Sequence, residues 1–386
     1  MAGVNPDNTP IYGDPILGFD GAQECPDSDV ANCELISNGV ATPTEATVSK
    51  SLKPQSVDEY VLGVERSLGN LIRVGLFGIY RSLNDSLEDV AIDAAVNSYC
   101  DAEGIEGCDE IWSGFHQYVL VNPGAGATIT LSDPIGGETS ARTVEFSAED
   151  LGYPKAKRTY KAITATFDRG FDGLWSAGAN YTWSELKGNI EGGIRSDNGQ
   201  TDSGLTTAFD QPGLTNGAYG YLPGHARHQF KFYGSYALTD WFTFGLQFQV
   251  RSPRKFGCIG RVPSDIDPYA GAYGAAGFYC NVDSNGDIVT DSSVDATTYE
   301  RELTPRGSRL ESDWESFVNV SSIFKMPDEL LNATFRVDVF NLLNSKAITD
   351  RRELGTLGSG APRGDYGAPL YYQTPRSIRF QLGIDF

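Results

Sequence analysis

The chain has 386 residues, with 51 acidic against 30 basic side chains and a net charge of −21. That balance argues against a nucleic-acid binder, which needs a basic face, and no stretch approaches the ~18–20 continuous apolar residues of a membrane helix. A mean hydropathy of −0.29 does not exclude a β-barrel wall, where lipid-facing apolar and lumen-facing polar residues alternate and average out.

In chain order, the first segment, MAGVNPDNTPIYGDPILGFD, has no basic region followed by an apolar one, so it is not a signal peptide. An exported protein is then expected to begin upstream, and the chain to be a segment of a longer one. Residues 1–49 hold eight acidic residues and no Lys or Arg; with their Pro, Gly and Asn they read as a loop. Period-two alternation predicts strands over 57–68, 71–83, 156–168, 173–186, 226–238, 241–252, 313–325, 331–346 and 374–386. In 173–186, Trp175, Ala177, Ala179, Tyr181 and Trp183 share one face, opposite Ser176, Asn180 and Thr182. The aromatic faces, with Phe242, Phe244, Phe248, Phe335, Phe380 and Phe386, are expected to point to lipid. These runs have the length that a tilted strand needs to cross a bilayer.

Short links at 69–70, 169–172, 239–240 and 326–330 alternate with long segments at 84–155, 187–225, 253–312 and 347–373. Short turns on one rim and long loops on the other match an outer-membrane barrel, with turns periplasmic and loops extracellular. Residues 117–122 and 127–132 are expected to pair as a hairpin around Asn122-Pro123-Gly124. The fold class is therefore all-β, an antiparallel transmembrane barrel, with 1–56 an acidic extracellular loop and 57–386 barrel. About nine strands cannot close as a normal single-chain barrel, whose strand number is even, so the barrel is expected to be incomplete. A soluble β-rich binding module such as a propeller would need short, evenly spaced strands with polar outer faces.

The six cysteines, Cys25, Cys33, Cys100, Cys108, Cys258 and Cys280, all fall in loop-like sequence. Their clustering favours neighbour pairs, Cys25–Cys33, Cys100–Cys108 and Cys258–Cys280, over unpaired thiols, and an oxidising compartment. Asp283, Asn285 and Asp287 form a weak calcium-loop pattern from Asn281, but Ser292 stands where the bidentate Glu is needed; turn chemistry explains Asn-Gly-Asp equally well. His116, His225 and His228 are isolated in sequence, and the latter two flank a strand start as surface or rim residues. Glu65, Arg73, Lys231, Arg251 and Arg336 fall on lumen-facing positions, where they could touch a ligand or pair with one another. No Ser/His/Asp order, P-loop or dinucleotide fingerprint stands in a strand–helix context. No catalytic or cofactor-binding residue is expected, and the chain is not read as an enzyme. Residues 82–141 again hold eleven acidic residues and no Lys or Arg. Such loops could capture cationic or metal-bearing ligands, bridge through divalent ions to lipopolysaccharide, or simply stay solvated.

A family resemblance rests on several of these segments. LKPQSVDEYVLGVERSL (52–68) with YRSLNDSLEDV (80–90), KRTYKAITATFDRGFDGLWSAGANYTWSELKGNIEG (157–192), LPGHARHQFKFYGSYAL (222–238) and FRVDVFNLLNSKAI (335–348) resemble strands of Oar-like TonB-dependent outer-membrane receptors. The final SIRFQLGIDF is similar to their terminal strand. The resemblance covers roughly residues 45–386. It implies a barrel of about 22 strands around a plug, of which about the last nine are here, the plug, TonB box and N-terminal domain lying outside. It also implies that Ile378, Phe380, Leu382, Ile384 and Phe386 form the row read by the barrel assembly machinery. The expected partners are outer-membrane lipid and lipopolysaccharide, with TonB engaged only through the missing plug. The function implied is solute binding and passage across the outer membrane; the alternative within the same resemblance is surface adhesion or protein secretion.

Overall fold

The computed structural model describes residues 3–4, 10–11, 44–197, 199–200, 206–293, 299–327 and 332–385. Nine strands build one antiparallel meander: β1 (Ser56–Leu68), β2 (Ile72–Asn84), β3 (Arg158–Arg169), β4 (Trp175–Gly188), β5 (His228–Thr239), β6 (Phe242–Arg251), β7 (Glu315–Pro327), β8 (Asn332–Phe340) and β9 (Ser377–Asp385). Each pairs with its neighbour in sequence, and a short strand, Gly220–Tyr221, extends the pairing of β4. β1 and β9 are the two edges of the sheet, which is not closed among the described residues. Consecutive antiparallel pairing puts the four hairpin turns on one rim and the connections 85–157, 189–227, 252–314 and 341–376 (L1 to L4) on the other.

Local chemistry sets where strands stop. Gly69, at φ +69°, supplies the left-handed turn between β1 and β2. Between β3 and β4 the Asp172 carboxylate accepts from the Leu174 and Trp175 amides at 2.9 and 3.0 Å and pairs with Arg169. The eighth strand is shorter than the alternation suggests, because Asn341 turns left-handed (φ +47°) and its side chain amide donates to Ser345 and Thr374 carbonyls. That bends the chain out of the sheet six residues before the expected end of 331–346.

Directly opposed residues of an antiparallel pair share a face, so the register assigns faces across all nine strands. Trp175 opposes Tyr236, Ala179 opposes Phe232, Phe232 opposes Phe248, Phe248 opposes Val318, and Phe335 opposes Leu382. All described aromatics expected to point to lipid therefore lie on one face; Phe386 lies outside the described residues. On this apolar face aromatic rings gather towards both rims as well as at mid-strand, where Phe232 opposes Phe248. Near the turns Phe242, Phe324, Phe335 and Phe380 follow one another with ring centroids 4.7–6.3 Å apart. Near the loops lie Tyr60 against Tyr80, and Tyr181, His228 and Trp314 in a stack. Trp175 and Trp183, eight residues apart on β4, are separated by about 26 Å along the strand. This is the girdled apolar belt of an outer-membrane wall.

The opposite face carries hydrogen-bonded polar ladders: Ser176 with Ser235 (2.7 Å), Thr164 with Thr182 (2.9 Å) and Asn319 with Gln247 (3.2 Å). The Phe77 ring also lies here, in space left by Gly63 and Gly75, where a Cβ would collide with it.

The chain's buried apolar core is not in the wall but above it. L1 and L2 contribute nearly all of one cluster, including Ile92, Trp112, Ile129 and Phe209, each fully buried. Two smaller clusters join L2 to L3 through Leu214 and Val262, and to L3 and L4 through Ala218, Ile259 and Leu354. The expected 117–122/127–132 hairpin does not form. Tyr118–Val121 pairs with Glu88–Ala91, and Ala127–Thr130 with Thr143–Phe146. The Asn122 amide explains the difference: it donates to the Lys53, Asp85 and Ser86 carbonyls and so ties this turn to the tops of β1 and β2. Residues 48–50 join the same body through Ser49 and Lys50 amides donating to Leu120 and Thr128 carbonyls.

Candidate functional site

The loops are held together by buried polar groups, each with a partner on another segment. Within L1, the Asp93 carboxylate accepts from the amides of Gly114 (2.9 Å), His116 (2.8 Å) and Gln117 (3.1 Å), fixing the helix Asp93–Glu103 against the segment that follows. Thr206 of L2 donates to Glu88 of L1 at 3.0 Å, and the Tyr153 hydroxyl donates to the Ala91 and Asp210 carbonyls. L3 closes on this pair: Asp267 accepts from the Gly213 amide at 2.8 Å, and the Tyr273 hydroxyl donates to the Asp210 carboxylate. Burial, reinforced by Asp89 and Asp210, pushes Glu88 up to about 8 against the Thr206 hydrogen bond. Burial likewise pushes Asp210 up to about 7, with Tyr273 opposing. The junction of L1, L2 and L3 thus holds carboxyl groups that favour their protonated form.

A second junction joins L2, L3 and L4 through arginine–carboxylate contacts, although burial, reinforced by Asp197, pushes Glu353 up to about 8. Arg195 and Arg306 grip Asp197 at 2.8 and 3.0 Å, all three nearly or completely shielded from water. Both guanidiniums lie against the ring of Phe278. Burial opposes ionisation of Asp197, but Arg306 and Arg195 hold it below the usual carboxylate range. Nearby, Arg254 bridges Asp350 and Glu353 at 2.8 Å each, and the Gly257 amide donates to Glu353 at 2.9 Å.

Between L1, L2 and L3 opens a cleft of about 720 Å³, whose walls include Glu149, Tyr153, Asn216, Ile266 and Asp267. The Asp267 carboxylate is already engaged by the Gly213, Tyr269 and Ala270 amides. Glu149 is exposed, and is the carboxylate of this wall that faces solvent. The cleft offers mixed polar and apolar surface of small-solute size.

The residues singled out in the sequence are placed as follows. Cys100 is bonded to Cys108 and Cys258 to Cys280, with Cα–Cα distances of 6.4 and 6.2 Å, in L1 and L3; Cys25 and Cys33 lie outside the described residues. Asp283 accepts from the Asn285 and Asp287 amides at 2.9 and 3.0 Å, an Asx turn, and these bonds hold its carboxyl below the usual range. Among the described residues no three His, Cys, Asp or Glu side chains gather as a metal site. Ile378, Phe380, Leu382 and Ile384 line the apolar face of β9, all exposed. Of the polar-face charges, Arg73 pairs with Glu65 (3.4 Å), Arg251 with Glu315 (3.5 Å) and Arg336 with Asp338 (2.7 Å); Lys231 opposes Asn180 and Gln249.

Two histidine readings are corrected. His225 is not at the surface: its ring stacks on Tyr221 with centroids 4.4 Å apart, accepts from the Leu186 amide, and is 1% exposed. His116 is not isolated but bonds Asp133 at 2.6 Å. The buried acids of L1 and L2 and the Arg195–Asp197–Arg306 cluster carry no sequence signature. Except for Arg195 and Asp197, two residues apart, their partners lie tens of residues away, and only the folded loops bring them together.

No family model matches the sequence. The chain is similar to TonB-dependent transporter Oar of Myxococcus xanthus, 23% identical over 413 residues that cover 93% of this chain and 32% of that protein. The chain therefore spans about a third of the length of the curated relative it matches. Among solved structures, it is similar to the ferripyoverdine receptor of the outer membrane of Pseudomonas aeruginosa (11% identity, 86% of this chain and 27% of that one, TM-score 0.40). It is also similar to the outer membrane transporter YddB from Escherichia coli (10% identity, 86% and 33%, TM-score 0.41). Over most of its length the chain is thus similar to a TonB-dependent transporter, and its girdled strand meander has the build of a bacterial outer-membrane β-barrel wall.

Proposed function

We propose that the chain supplies about the last nine strands of a TonB-dependent outer-membrane transporter, with residues 1–56 and L1 to L4 on the cell surface and 57–386 otherwise in the wall. A solute binds in the loop assembly and passes inward along the polar face. TonB acts through the plug of the whole protein, and the row from Ile378 to Phe386 is read by the barrel assembly machinery. The observation that carries the reading is the interlocked loop body, with its solvent-open cleft between L1, L2 and L3, set at the loop rim of a wall with one polar face. Supporting it is the sequence similarity to a protein named as a TonB-dependent transporter.

The test uses cells carrying the whole protein that contains this chain. Depletion of small solutes from the medium is compared between wild type, a variant lacking 252–314, and cells depleted of TonB. The account expects the same solute to be spared in the loop deletion and in TonB depletion. Loss of cell cohesion or of a secreted protein, with every solute depleted normally, would replace transport by the adhesion or secretion reading.

A further inference from the structure

The chain's charge is strongly negative and residues 82–141 carry no Lys or Arg, yet cations converge at one place on the apolar face. The register puts Lys187 opposite Tyr221, and Lys187 lies on the same face as Trp183 and Tyr181, two and three positions nearer the turn rim in the alternating row. Tyr221 is ringed by charge. The Lys187 Nζ stands 4.6 Å from its ring centroid, the Arg227 guanidinium 5.5 Å and the Lys255 Nζ 5.6 Å. Arg227 also donates to the Tyr221 hydroxyl at 2.6 Å and reaches over the Trp183 ring at 5.7 Å. Lys161, exposed, opposes Glu185 on the same face.

Two carboxylates face these three cations, Glu185 loosely and Glu311 in close contact with Lys255. Glu185 lies 3.5 Å from Lys187 and 3.4 Å from Arg227, and Glu311 pairs with Lys255. The cations keep about a third of their side-chain surface, 33%, 30% and 29% for Lys187, Arg227 and Lys255. The cluster's field is felt by its buried neighbour: burial first, then Arg227, push His225 down to about 4. Below the cluster lies the loop-side aromatic band of Tyr181, His228 and Trp314. Aromatic belts mark the level of the headgroups, so these cations stand where outer-leaflet phosphates stand.

We propose that Lys187, Arg227 and Lys255, gathered around Tyr221, bind the phosphate of a glycolipid headgroup in the outer leaflet. The ammonium and guanidinium groups supply charge-assisted hydrogen bonds to phosphate oxygens, Trp183 and Trp314 pack against the sugar and upper acyl chains, and Glu185 is displaced from its loose pairing. A lipid rather than a soluble phosphate is the ligand, because the cluster continues the lipid-facing row instead of lining the cleft between L1, L2 and L3. The inference rests on that face meeting lipid, which labelling of cysteines in β5 reads independently.

The test is native mass spectrometry of the whole protein that contains this chain, extracted from outer membranes in a nonionic detergent, with bisphosphorylated lipid A as the probe. Wild type is expected to retain the probe, and the K187Q/R227Q/K255Q variant to lose it by roughly tenfold or more, the weight of one charge-assisted contact. Glu185→Gln, which removes the competing anion, is expected to raise retention and guards against misfolding of the triple variant. Dephosphorylated lipid A is expected to bind weakly, and millimolar inorganic phosphate not to displace the probe. Equal retention by wild type and the triple variant would overturn the proposal. So would equal binding of the dephosphorylated lipid, displacement by inorganic phosphate, or an equal loss on replacing Arg66 and Arg169 at the opposite rim.

Discussion

Single residues in the loop body set its response to pH and to reduction. Glu88 and Asp210 have folded-state values raised to about 8 and about 7 by burial, against an ordinary range of about 4. The folded state therefore holds protons that the unfolded chain gives up. The stability these groups contribute is complete below about pH 4 and is lost as pH rises through about 7 to 8. Asp197, lowered by its arginines, acts in the opposite sense and matters only in acid. Amide-exchange protection of 88–121, corrected for intrinsic rates, is accordingly expected to be greater at pH 5.5 than at pH 8. Glu88→Gln should flatten that slope; an unchanged slope in the variant would remove Glu88 as its source. The two disulfides differ in the loop they close, with sequence separations of 8 and 22. Chain entropy then assigns about 2.5 kcal/mol to Cys100–Cys108 and about 3.5 kcal/mol to Cys258–Cys280. Replacing the second pair by alanine should open its loop to protease at lower denaturant than replacing the first.

Among the elements, the wall was legible in the sequence and the loop body was not, for one physical reason. A wall strand repeats its alternation over nine or more residues, as Trp175–Ser184 and Phe242–Arg251 do, and pairs with its sequence neighbour, so local pattern and tertiary contact coincide. A loop strand such as Tyr118–Val121 has four residues, and its partner Glu88–Ala91 lies beyond two intervening helices. Nothing local distinguishes that pairing from the hairpin that Asn122-Pro123-Gly124 suggests. The same logic hid the burial of His225, which depends on a short strand at Gly220–Tyr221 folding back on β4. Within the wall, Asp338 joins β7, β8 and β9, accepting from Ser321, from Arg336 at 2.7 Å and from Arg379 at 2.7 Å while itself 1% exposed. Asp338→Ala strands two guanidiniums, but these are 39% and 56% exposed. Solvent screening holds the expected cost to about 1–2 kcal/mol, below the ~3–5 kcal/mol of a fully buried pair. It should appear as a lower temperature for loss of the heat-modifiable band in gel electrophoresis, and Asp338→Asn, which keeps an acceptor, should recover part of it.

At the scale of the whole molecule, two faces and two edges govern behaviour. The edges, Ser56–Leu68 and Ser377–Asp385, present backbone groups without strand partners among the described residues. Each such group costs several kcal/mol in hydrocarbon, so in a membrane both edges are expected to pair with further strands. The central claim is that one face of this sheet meets lipid and the other water. Because side chains alternate with a period of two, a one-residue error in register would exchange the faces throughout. The most direct measurement is a scan of single cysteines from Gln229 to Tyr236 in β5, in the outer membrane, with a water-soluble and a lipid-soluble maleimide. Gln229, Lys231, Tyr233 and Ser235 are predicted to react with the water-soluble reagent, and Phe230, Phe232, Gly234 and Tyr236 with the lipid-soluble one. Reactivity without a period of two, or with the two sets exchanged, would contradict the account.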